Sequence, residues 1–278
     1  MVEQPPAQTG PASRLLAEGQ GWRVCEVVCG SGPGDRPFEE MHAWTSVAAV
    51  LSGVFTYRSH RGRALMTPGS LLLGDAGTCF ECGHEHGTGD RCVAFQLAPD
   101  LVEETLAALY GRPQGRFASP SLPPLERLLP LGTEAQALAA SPDPLRAEAL
   151  ALDVARTAFA LDAGLRPREA SWREEAKAAE AVRIVDACYA EPLSVAELAH
   201  RVGLGRQRLA LAFRRAVGVT PYNYILRRRL EAAAGRLRTS SRTVLDVALD
   251  VGFGDLSEFS RRFKRRFGVA PGAYRRQA

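Results

Sequence analysis

Apolar positions between residues 195 and 274 recur in two matching sets. Val195-Ala-Glu-Leu-Ala-His-Arg-Val-Gly-Leu-Gly205 returns as Val244-Leu-Asp-Val-Ala-Leu-Asp-Val-Gly-Phe-Gly254. Phe213-Arg-Arg-Ala-Val-Gly-Val-Thr-Pro221 returns as Phe263-Lys-Arg-Arg-Phe-Gly-Val-Ala-Pro271, and the copies end on Tyr224 and Tyr274. In the first copy Leu198, Ala199 and Val202 mark one face of a short helix, Gly203 stops it, and Leu209 with Phe213 forms the apolar edge of the next. The spacing predicts helix, tight glycine turn, helix. Small residues at Ala199 and Ala248 permit the steep crossing of a helix-turn-helix, whose second helix can enter a DNA major groove. One copy alone reads equally well as a structural helical corner, and the duplication favours two units of one kind. Pro221 to Leu237, with Leu226, Leu230, Ala233 and Leu237 on one face, predicts a long helix joining the units. Arg173 to Ala190 predicts a helix that precedes them.

The pattern changes upstream. Residues 22 to 97 alternate short apolar, β-branched or aromatic runs with turn signals at Ser52-Gly53, Gly62, Pro68-Gly69, Asp75 to Gly77 and Gly87 to Asp90, which predicts a small barrel or sandwich. Residues 101 to 165 predict helices punctuated by prolines. Leu145, Ala149, Leu152, Ala155 or Arg156, and Phe159 form a stripe suited to packing on the barrel or on a second subunit. Gly164 and Pro167 mark a linker over residues 161 to 171.

Residues 174 to 278 resemble the DNA-binding domain of the AraC/XylS family of bacterial transcription regulators. The resemblance rests on Gly252-Phe253, Phe259, Phe263-Lys264, Phe267-Gly268 and Pro271, and covers over a third of the chain. It implies two helix-turn-helix units, double-stranded promoter DNA and RNA polymerase as partners, and activation more often than repression. A looser resemblance to the family's cupin-like sensor domain rests on His42, a hairpin at Leu51 to Gly53, and Thr67-Pro68-Gly69-Ser70 leading into Leu71 to Leu73. It implies a small-molecule or metal effector and a homodimer. The expected fold is α+β: a cupin-like β-barrel over residues 1–100, a helical dimerisation and linker region over 101–172, and an all-α double helix-turn-helix domain over 173–278.

Composition agrees with two domains, since 278 residues at 46% hydrophobic content supply sizeable cores. No apolar run is long enough to span a bilayer and no leader pattern opens the chain, so a soluble cytoplasmic protein is expected. The net charge of +4 divides unevenly. From Arg173 onward 21 Lys+Arg face 11 Asp+Glu, a net of +10, against −6 for the preceding residues. Arg227-Arg228-Arg229, Arg261-Arg262 and Lys264-Arg265-Arg266 are candidate phosphate-attracting clusters, although any single cluster is also an ordinary solvated face. By position on the second helix of each unit, the DNA-facing candidates are Arg206, Gln207, Arg208, Ala210 and Leu211, then Leu256, Ser257, Ser260, Arg261 and Arg265. Leu211 stands where members of the resembled family often carry a polar or Arg residue. Each candidate has base contact, phosphate contact or idle exposure open to it.

The remaining chemistry lies between Cys79 and Cys92. In an extended chain Cys82, His84 and His86 share one face, and a hairpin through Gly87 to Asp90 brings Cys92 opposite, a donor set suited to zinc or another transition metal. His42 is a further candidate. Thiol-based sensing, lining of a ligand pocket and a purely structural role stay open beside metal binding. No acid/base pair or activated nucleophile is evident, so an enzyme is not expected, and a cupin-type metalloenzyme tethered to DNA ranks low.

Overall fold

Alternation along residues 45–53, 71–74 and 90–97 sends Val47, Ala49, Leu71, Leu73, Val93 and Phe95 to one face of a sheet. Ala48, Val50, Leu72, Cys92 and Ala94 go to the other, and both faces are buried. A sheet covered on both sides must be a middle layer. The structure is a computed structural model that describes residues 11–37, 39–111, 115–164 and 169–277. Its first half runs through β1 (Ala12–Gly19), β2 (Trp22–Cys29), β3 (Glu39–Met41), β4 (Thr45–Gly53), β5 (Phe55–Ser59), β6 (Gly62–Met66), β7 (Leu71–Gly74), β8 (Cys79–Gly83) and β9 (Asp90–Leu97). It continues through α1 (Pro99–Tyr110), β10 (Ser121–Leu122), α2 (Leu129–Ala140) and α3 (Pro144–Asp162).

Six strands pair antiparallel in the order β1-β2-β9-β4-β7-β10 and four in the order β3-β8-β5-β6. The larger sheet packs one face on α1, α2 and α3 through Val102, Leu106, Leu138, Ala151 and Val154. Its other face meets Phe55, Tyr57 and Met66 of the smaller sheet. Among the described residues the expected barrel is therefore not closed: two open sheets face each other. The expected hairpin at Leu51 to Gly53 is instead the corner where the chain changes sheets, since β4 pairs with β7 and β9 whereas β5 pairs with β6 and β8. Gly53 holds φ at 89°, and a Cβ there would lie 2.6 Å from Asp90 Cα, so only glycine makes the corner. The stripe expected on α3 is also corrected. Ala155 and Phe159 are buried as expected, but Leu145 and Ala149 are exposed, and the buried face runs instead through Ala147, Leu150, Ala151, Val154 and Ala158, whose alanines are small enough to let the helix approach the sheet.

The second half contains α4 (Trp172–Cys188), α5 (Val195–Arg201), α6 (Arg206–Val217), α7 (Pro221–Thr239), α8 (Val244–Asp250), α9 (Leu256–Phe267) and α10 (Pro271–Gln277). Thr220 caps α7 by accepting from Asn223 N, with Pro221 in the first turn where its missing N–H costs nothing. This helix belongs to two cores. Tyr224 and Ile225 pack with Val182, Leu198, Leu209 and Phe213, whereas Leu226, Leu230 and Leu237 pack with Val247, Phe259, Phe263 and Tyr274. The two halves also share apolar surface: Val54 and Leu65 join the first of these cores and Leu129 the second.

Candidate nucleic-acid interface and sensor cavity

The two predicted turns have the same geometry. Gly203 N donates to His200 O at 3.0 Å and Leu204 N to Ala199 O at 2.9 Å; Gly252 N donates to Leu249 O at 3.0 Å and Phe253 N to Ala248 O at 3.0 Å. Both glycines have positive φ, 69° and 90°. The helices that follow, α6 and α9, stop at Gly218 and Gly268, again left-handed. Asp255 caps α9 by accepting from Glu258 N. Leu209 and Phe213 on α6, and Phe259 and Phe263 on α9, are buried, so each helix turns its other side outward.

On that outer side Arg206, Gln207, Arg208 and Leu211 are exposed and Ala210 is half-buried; Leu256, Ser257, Arg261 and Arg265 are exposed and Ser260 is half-buried. Among the described residues no carboxylate lies within ion-pair distance of Arg206, Arg208 or Arg214 on α6, or of Arg261, Lys264 or Arg265 on α9. Other arginines are engaged. Arg215 pairs with Glu174 at 2.9 Å, Arg262 with Glu258 at 2.7 Å, and Arg266 with Glu126.

The Arg227 to Arg229 cluster is a correction to the sequence reading, because none of the three is a solvated phosphate contact. Arg227 is buried and donates to Leu125 O at 3.1 Å. A Cβ at Gly69 would collide with its guanidinium, so Pro68-Gly69 leaves room for this side chain. Arg228 pairs with Asp186 at 2.7 Å and with Glu231. Arg229 donates to the carbonyls of Tyr189, Gly252 and Glu191 at 2.7, 2.8 and 2.8 Å, binding the start of the first unit to the turn of the second. On a helix that is buried on most sides, three successive cations must find acceptors inside the protein. Further ties between the halves join Arg63 to Glu175 at 2.7 Å, Arg238 to Glu134, and Arg183 to the carbonyl of His86.

The facing sheets enclose a cavity of about 160 Å³, lined by His42, Cys82, His84 and Cys92 among others. The predicted donor set holds only in part, because β8 ends at Gly83 and the chain turns at once. Period-two alternation therefore stops, and His86 leaves the cavity to pack on Trp172, ring centroids 5.9 Å apart. Its place is taken by Cys29 and Asp90, cross-strand partners of β2 and β9 that the sequence reading missed. Asp90 reads as turn punctuation in sequence, and Cys29 lies far upstream; only strand pairing joins them. Burial and the Asp90 carboxylate push the Cys82 and Cys92 thiols up. His42 also faces the cavity, with Nε2 3.0 Å from Tyr57 Oη and its ring stacked on Phe80, and burial lowers its pKa to about 4.

Comparison with known proteins centres on the second half. A family model described as a helix-turn-helix domain matches residues 198–277. A Streptomyces lividans protein described as an AraC-like transcription regulator is 41% identical over 83 residues, 30% of this chain and 27% of its own length. The regulatory protein SoxS of Escherichia coli K12 is 38% identical over 85 residues, 31% of this chain and 79% of SoxS. A solved AraC-type transcriptional regulator from Chromobacterium violaceum is 31% identical, covering 38% of this chain and 96% of its own, with a TM-score of 0.36. The chain spans about a third or less of the length of the first curated relatives it matches. Among the described residues no helix is long and apolar enough to cross a membrane.

Proposed function

We propose, from the premise that this chain belongs to the AraC/XylS family of transcription regulators, that it reads specific DNA with its second half under the control of an effector at its first. One observation carries the reading. Two glycine-turned helix pairs, joined by α7 through both cores, each present an outer helix on which three cations, Arg206, Arg208 and Arg214 on α6 and Arg261, Lys264 and Arg265 on α9, have no carboxylate in reach among the described residues. A rigid α7 lets α6 and α9 occupy successive major-groove turns, about 34–36 Å apart. Their free cations supply the sequence-independent attraction to phosphate. Gln207 pairs with adenine, Ala210 and Leu211 cover thymine methyls, and Arg261 forks onto guanine, while Arg265 contacts phosphate.

The first half fits a cupin-type sensor: two facing antiparallel sheets, a cavity between them, and contacts through Arg227, Arg183 and Leu129 that carry its state to the DNA-binding helices. Such a regulator acts in the cytoplasm as a homodimer and recruits RNA polymerase. The test is selection of fragmented genomic DNA on the purified protein near physiological salt. Enrichment of a few sites, each with two boxes about one helical turn apart per subunit, supports the reading; uniform weak retention with and without added metal or ligand refutes it.

A further inference from the structure

At the base of the inter-sheet cavity, Cys29 Sγ, a ring nitrogen of His84 and a carboxylate oxygen of Asp90 all lie within 4.8 Å of one another. His84 Nε2 is 2.6 Å from Asp90 Oδ2, and the Cys92 thiol donates to Asp90 Oδ1 at 3.4 Å. The carboxylate is thus held between an imidazole and a thiol, with Cys82 of β8 lining the same cavity from the facing sheet. We propose that this cluster binds a borderline-soft divalent transition metal, zinc in the first place, through Cys29, His84, Asp90 and Cys92.

The donor set argues for that class of ion. Two thiols, one imidazole and one carboxylate suit tetrahedral zinc, cobalt(II) or iron(II), whereas magnesium and calcium want a shell of oxygens. Metal–sulfur bonds of about 2.3 Å and metal–nitrogen bonds of about 2.0 Å place tetrahedral donors some 3–4 Å apart. The three grouped atoms are already near that spacing, so rotamer changes complete the site. The backbone beneath is fixed. Cys29 and Asp90 are register partners at the end of the β2–β9 ladder, Asp90 and Cys92 are two apart on one strand, and Gly53 of β4 packs directly on Asp90 from the other side. All four side chains are buried, with Cys29 9% exposed, Cys92 6%, and the His84 and Asp90 side chains 3% and 7%. An ion here replaces the protons that the imidazole and thiol now share with Asp90.

The site also has a route outward. His84 begins the turn whose His86 carbonyl accepts from Arg183 of α4, so an ion that fixes His84 fixes the support of the DNA-binding half. This consequence rests on the proposed sensory role; the metal site itself does not. The test adds cobalt(II) to the reduced, metal-stripped full chain and reads its absorption. The expected result is one equivalent bound with thiolate-to-cobalt charge-transfer bands and intense tetrahedral d–d bands, both displaced by zinc. Cys29→Ser and Asp90→Asn each weaken cobalt affinity by more than roughly tenfold, a loss that even outer-shell changes cause, whereas His86→Ala and Cys188→Ser leave it unchanged. Weak octahedral bands without the charge-transfer feature overturn the proposal, as does undiminished affinity in both cavity variants. The wild-type spectrum decides thiolate ligation even where a variant fails to fold. Binding of selected DNA is measured in parallel: retained DNA reading without cobalt ligation removes the metal site alone, and the converse removes the DNA reading alone.

Discussion

Arg261 and Arg265 lie one turn apart on α9, both exposed and, among the described residues, both without a carboxylate in reach, yet the account gives them different work. Arg261→Ala is expected to cost about 1–3 kcal/mol on the selected site and to relax preference at one base, whereas Arg265→Ala weakens all sequences alike. Titration of each variant on specific and random DNA separates the two, and equal losses for Arg261→Ala on both would remove it from base reading. His42 offers a second residue-scale prediction. Its burial lowers its pKa from 6.5 to about 4, so the folded chain binds fewer protons than the unfolded chain between those values. The contribution is whole above pH 6.5 and is lost as pH falls toward 4. Between pH 7 and pH 5 the loss amounts to about 2 kcal/mol. His42→Gln keeps a partner for Tyr57 without titrating, and its urea stability should fall by that much less over the same interval; parallel losses would contradict the assignment.

Helices and turns were the most legible elements, because their residues carry the reason for their shape. Gly252 illustrates it: its φ of 90° is left-handed, and a Cβ would lie 2.7 Å from Ala190 O. Gly252→Ala should destabilise by at least about 1–2 kcal/mol. Gly254→Ala, whose Cβ would meet nothing within 4 Å, should be close to neutral in the same denaturant melts. The repeat, its turns and the buried Phe213, Phe259 and Phe263 follow from spacing alone. What spacing does not carry is pairing between distant segments. Cys29 meets Asp90 only because β2 and β9 are neighbours, Gly53 is a corner because β4 and β5 join different sheets, and Arg227 is buried because Gly69 and Leu125 surround it. Local periodicity also misplaced His86, since nothing in Gly83-His84-Glu85 announces that the strand has ended.

At the scale of the whole molecule, the basic excess of the second half is sorted by structure. Part of it holds the halves and the two units together, through Arg227, Arg228, Arg229, Arg238 and Arg266. Arg206, Arg208, Arg214, Arg261, Lys264 and Arg265 are left for DNA. With Arg261 on a base, five phosphate contacts per chain predict a log-log salt slope of about −4.5, or about a 500-fold loss of affinity between 50 and 200 mM salt. A slope near −1, read by fluorescence anisotropy, would mean that few of the five reach phosphate. The central claim is geometric: one chain lays α6 and α9 into adjacent major-groove turns of a single face. Hydroxyl-radical footprinting of one subunit on its selected half-site tests that most directly. Two protected patches separated by about 10–10.5 base pairs on the same face of the duplex are predicted; a single patch, or two on opposite faces, would contradict the account.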